Sequence, residues 1–84
     1  MRRISIEAAS PESARALSAA LAAFEPRVFE HDPRGPVVQV EIAGGSSQIV
    51  AILRAIEEYV QARAAGPTLI DLDGRSYVMD AHPA

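Results

Sequence analysis

The chain has 84 residues, a formal net charge of -3 and no cysteine. That length suits one small core and argues against a large enzyme cleft, since single cores come in units of roughly 100 to 200 residues. The missing cysteine excludes disulfides, thiolate metal ligands and a cysteine nucleophile, and the acidic balance argues against a sequence-independent grip on nucleic acid, which needs a positive stripe to displace counterions.

The first segment, Arg3 to Ala8, alternates Ile4, Ile6 and Ala8 with Arg3, Ser5 and Glu7, the period of a strand with one buried face. Ser5 and Glu7 break any apolar run after the two arginines, so no signal peptide is expected, and no stretch reaches the roughly 18 to 20 apolar residues of a membrane span. With no cysteine, a reducing, cytoplasmic setting is expected. Next, Ser10 caps a helix that opens on Pro11 and Glu12, carries Leu17, Leu21 and Phe24 on one stripe, and stops at Pro26.

Two short strands then flank the turn Asp32-Pro33-Arg34-Gly35-Pro36, the second alternating Val38, Val40 and Ile42 with Val37, Gln39 and Glu41. Pairing His31 with Val37 puts Arg27 opposite Glu41, an opposite-charge pair that favours this register. A second helix is read from Ser47 to about Ala65, with Ile49, Ile52, Leu53, Ile56 and Val60 on its apolar stripe, ended by Gly66-Pro67. Asp73-Gly74 between alternating runs calls for a two-residue type I′ turn, which sets Ile70 opposite Tyr77 and Leu69 opposite Val78. Residues 81–84 read as a flexible tail.

The order is thus β-α-β-β-α-β-β over one small α+β domain, residues 1–84. It resembles the ferredoxin-like arrangement: a two-layer sandwich, βαββαβ plus a C-terminal hairpin strand, with a mainly antiparallel sheet ordered 2-3-1-4-5 and both helices on one face. A shared fold settles no function. RNA-recognition modules have the same element order, but they stack bases on aromatic rings of the central strands, where this chain aims Arg3, Ser5, Glu7, Val37, Gln39 and Glu41.

Two places carry chemistry in principle. Gly44-Gly45-Ser46-Ser47 follows a strand and opens a helix, the setting of an anion site, yet it lacks the lysine of a Walker loop and the third glycine of a dinucleotide fingerprint. A turn with Ser46 or Ser47 as helix cap explains it first. On the sheet face away from the helices, Glu7, Glu41 and Asp71 are read as an acidic centre with Arg3 beside it, bordered by outward-facing Phe29, Val37, Leu69 and Val78. Three gathered carboxylates would bind a hard cation or separate acid and base roles. The imidazoles, His31 and His82, do not converge, and no serine has a histidine and a carboxylate as expected neighbours, so no metal, cofactor or catalytic triad is expected.

The expected function is a non-catalytic protein-interaction or adaptor module that self-associates through this open face as a homodimer, with no nucleic-acid or membrane partner. The alternative is a regulatory domain that binds a small anion or amino acid at the Gly44–Ser47 loop, resembling the amino-acid-binding members of the ferredoxin-like superfold. Third comes an enzyme acting through Glu7, Glu41 and Asp71.

Overall fold

A computed structural model of the chain describes residues 2–63 and 67–80. Its elements are β1 (Arg2–Glu7), α1 (Pro11–Ala20), β2 (Arg27–Phe29), β3 (Val37–Ile42), α2 (Ser46–Arg63), β4 (Thr68–Leu72) and β5 (Arg75–Met79), with one 3-10 turn at Ala22–Phe24. The five strands form one antiparallel sheet in the order β2-β3-β1-β4-β5, and the two helices complete a small α+β fold.

Alternation along the strands decides which side is covered. Ile4 and Ile6 of β1, Val38, Val40 and Ile42 of β3 and Ile70 of β4 are buried on one face. Against them pack Ala14 and Leu17 of α1, Leu21 beyond it, and Ile52, Ile56 and Val60 of α2. Ile49 and Leu53 complete the α2 stripe as half-buried neighbours. The Tyr59 hydroxyl of α2 donates to the Ser13 carbonyl of α1 at 3.2 Å, joining the helices. Both helices therefore lie on one face of the sheet.

Ser10 caps α1, its hydroxyl oxygen accepting the Ser13 N–H at 3.1 Å. The helix ends at Ala20, earlier than the stripe through Phe24 suggested. The Leu21 N–H is shared between the carbonyls of Leu17 and Ser18, the chain tightens into the 3-10 turn, and Glu25 turns left-handed (φ 53°) before Pro26. Proline disfavours helical backbone in the residue before it, so the unwinding starts upstream of Pro26 itself. Leu21 stays buried and Phe24 still packs on the core.

The first hairpin pairs Phe29 with Val37, Val28 with Val38 and Arg27 with Gln39. The expected pairing of Arg27 with Glu41 is thus wrong by two residues. Local bonds in the connection outweigh that single charge pair: Asp32 accepts the Arg34 N–H on its side chain and the Gly35 N–H on its carbonyl, both at 2.9 Å, and Pro36 accepts the Ala8 N–H at 2.8 Å. A slip of two leaves every side chain on its own face.

The second hairpin follows the sequence reading. Asp73 (φ 52°) and Gly74 (φ 81°) both take the positive φ of a type I′ turn, and Ile70 faces Tyr77 while Leu69 faces Val78. Arg2 pairs with Asp73 at 2.7 Å and ties this turn to the start of β1. The expected stop at Gly66, the tail and His82 lie outside the described residues.

Candidate functional site

The register resolves the open face into rows. One row runs Arg27, Gln39, Ser5, Asp71, Ser76 from edge to edge and is polar throughout. One step along, Phe29 pairs with Val37 and Val37 with Glu7, while Leu69 pairs with Val78. Since Ile6 pairs with Ile70, the antiparallel register brings Glu7 level with Leu69. Phe29, Val37, Leu69 and Val78 therefore form a single apolar row with Glu7 at its middle, and not a border around an acidic centre.

Exposure along that row depends on place. Phe29 on edge strand β2 is 42% exposed and Val78 on edge strand β5 66%. Leu69 is half-buried. Val37 is fully buried, which corrects the expectation that water reaches it. It sits on an interior strand between Phe29 and Glu7, beside the connection that returns from β2, so its neighbours cover it although no helix does.

The three carboxylates do not gather. Glu41 pairs with Arg3, four residues along β1 from the level of Glu7, a separation of about 13 Å. Among the described residues no three histidine, aspartate or glutamate side chains could hold a metal ion together. Glu7 and Asp71 are diagonal neighbours, about 7 to 8 Å apart. Arg34 of the same chain feels the charge of both. Arg34 hydrogen-bonds Asp32 through Nε at 3.1 Å, and its guanidinium is held charged first by that bond and by the Asp32 charge, then by Glu7 and Asp71. Asp32 is held below the usual carboxylate range by the Arg34 side chain first, then by the Arg34 N–H.

Sequence reasoning considered Arg3 and Arg27 as balancing charges and missed Arg34. The Asp-Pro-Arg-Gly turn shows that Asp32 can bond Arg34, but the contact of Pro36 with Ala8, which brings this turn alongside Glu7, is tertiary.

The Gly44 turn has a cap other than the one expected. α2 begins at Ser46, and the Gly45 carbonyl accepts from the Gln48 N–H at 3.1 Å and the Ile49 N–H at 3.5 Å. The Gln48 side chain folds back, and its Oε1 accepts the Gly44 N–H at 2.5 Å. The third helical residue thus reaches back one position beyond the N-cap, Gly45, where a capping box would bond the N-cap N–H itself. The hydroxyls of Ser46 and Ser47 take no part. A Cβ at Gly44 would lie 2.8 Å from Gln48 Oε1, so the glycine is explained by the returning amide. The Gly44 amide is thereby bonded within the chain.

A hollow of about 510 Å³ on this side is mixed in charge. Arg3, Arg27, Gln39 and Glu41 line it, together with Phe24 and Gln48. His31 is exposed on the β2–β3 connection, away from it. No helix among the described residues is long and apolar enough to cross a membrane. No protein family, curated protein or solved structure matches the chain.

Proposed function

We propose that this chain is a small non-catalytic protein-interaction or adaptor module, built on a ferredoxin-like βαββαβ frame extended by β5, whose contact surface is the open sheet face. One observation carries the reading: the apolar row of that face is uncovered toward both edges, at Phe29 and at Val78. A row of large apolar side chains across one side of a small fold favours contact with another protein surface over water. The polar row beside it, with Arg27, Gln39 and Asp71, supplies the rim that gives such a contact its orientation. A second copy is the simplest occupant, since a two-fold contact uses the same patch twice.

Light scattering across a concentration series, with circular dichroism, tests this. Leu69→Lys should remove the contact through this face, lowering the assembled mass, and leave the spectrum unchanged, because a charge is tolerated on a wet strand face but not in a contact core. A Leu69→Lys protein that assembles like its parent would end the reading.

The Arg3–Arg27–Gln39–Glu41 hollow favours a second reading, a regulatory site for a small zwitterion such as an amino acid. Its paired cations would hold a carboxylate and Glu41 an ammonium group. A thermal-shift screen with amino acids, repeated on Arg27→Ala, checks it. A flat response from the parent would remove it.

A further inference from the structure

The two edges of the sheet differ. β2 is three residues long and runs straight into a connection with two prolines and a glycine, devices that blunt an edge against pairing. β5, Arg75–Met79, has no proline, glycine or lysine, and its one charge, Arg75, stands exposed at its start, beside the turn. One side chain is exposed on each face, Val78 on the open side and Tyr77, 49% exposed, on the helix side, while Met79 packs on the core. An apolar groove of about 410 Å³ lies beside this strand, lined by Leu53, Ile70, Leu72, Tyr77, Val78 and Met79.

The hairpin turn decides which backbone groups are left over. In a two-residue loop the flanking pair exchanges both hydrogen bonds, and bonded and non-bonded pairs then alternate. Leu72–Arg75, Ile70–Tyr77 and Thr68–Met79 are therefore the bonded pairs. The N–H and C=O groups of Ser76 and Val78 point away from β4, out of the sheet.

We propose that β5 pairs with β5 of a second copy, antiparallel about a two-fold axis at Val78, so that the two sheets become one. Three features of the strand select this occupant and this register. Val78 meets Val78 of the second copy on the open face, with their outward amides and carbonyls exchanged. On the helix face Tyr77 meets Met79 of the second copy twice, covering the exposed ring with a thioether and closing the mouth of the groove. The two Arg75 side chains sit at opposite ends of the joint, whereas a register centred on Tyr77 would press each guanidinium against a methionine.

The pairing goes beyond the face contact proposed above and does not compete with it. The apolar row of one copy, ending at Val78, would continue into that of the other, doubling the surface offered to a partner. The edge amides and Leu69 separate the two ideas experimentally.

Amide hydrogen exchange on the full chain, at concentrations above and below association, is the direct test. Ser76 and Val78 amides should exchange at least about tenfold more slowly in the associated sample, and Leu69→Lys should leave that protection intact. Ser76→Pro removes an outward donor without touching the β4–β5 ladder, and should raise the dissociation constant at least about tenfold, the loss of one hydrogen bond per copy. Tyr77→Pro, which breaks the ladder itself, should unfold the hairpin and marks that failure in the circular dichroism. A parent that associates while both amides exchange freely would overturn the edge pairing and leave the face contact standing. A parent monomeric at every concentration would overturn the second copy as occupant. Should Ser76→Pro fail to fold, the exchange rates of the parent decide alone.

Discussion

Val37 and Val78 are the same residue type, in the same row, on the same open face of one sheet, yet one is fully buried and the other 66% exposed. On the opposite face the strand centres from β3 through β4 are buried under the two helices, and burial falls off toward the edges, where Val28 is 36% and Tyr77 49% exposed. On the open face no layer exists, and a side chain is buried only where flanking strands and a returning loop crowd it. Burial on the helix face is a property of the layer; on the open face it is a property of the address.

Four outcomes would break or sharpen that contrast. The largest belongs to the covered face. Ile56→Ala should cost about 2 to 5 kcal/mol, because rigid neighbours on both the sheet and α1 cannot collapse into the cavity. In so small a protein that should bring unfolding close to room temperature, and a melting point within a degree or two of the parent would show that the layer does not confine α2.

The two valines come next. Val37→Ala should destabilise by about 2 kcal/mol, from two methyl groups returned to water at about 0.8 kcal/mol each plus a small cavity. Val78→Ala, measured on the monomer, should stay within about 0.5 kcal/mol. Equal costs in urea denaturation would mean that address on the open face does not matter.

The third concerns the turn below that face. Gln48→Ala should cost about 0.5 to 1.5 kcal/mol, since the Gly44 N–H loses its acceptor, whereas Ser46→Ala and Ser47→Ala together should change thermal stability by less than about 0.5 kcal/mol. The reverse ranking would restore the serines as caps.

The smallest is a pH effect at the loop beside Val37. Asp32 is depressed in the folded chain, so the unfolded chain takes up the proton first as pH falls, and the carboxylate's contribution to stability is present above the ordinary value near 3.9 and is lost below it. The Arg34 amide resonance, whose N–H donates to Asp32, should move in that acid window with a midpoint below an ordinary aspartate. A midpoint at or above the ordinary value would detach the loop from its arginine.

Much of the candidate site was legible as faces and little of it as neighbourhoods. Alternation alone placed Phe29, Leu69 and Val78 on the open side, and the Asp73-Gly74 turn set the second register, because two positive φ values in a two-residue loop allow one pairing. The first register was not legible. A charge pair between Arg27 and Glu41 was weaker than the bonds around Asp32, and a connection with two prolines admits several lengths.

What the amino-acid order determined by itself is therefore local: the periods of 2 and 3.6 residues, the Ser10 cap, the I′ turn and the apolar stripe of α2, each settled by residues within a few positions of one another. What only the tertiary structure decided is distant. The burial of Val37, the charge of Arg34 set beside Glu7 and Asp71, the separation of Glu41 from them, and the bare edge at β5 all depend on which strands become neighbours. A pattern along a chain states which way a side chain points; how deeply it is buried, and beside which charge, is set by packing against segments tens of residues away.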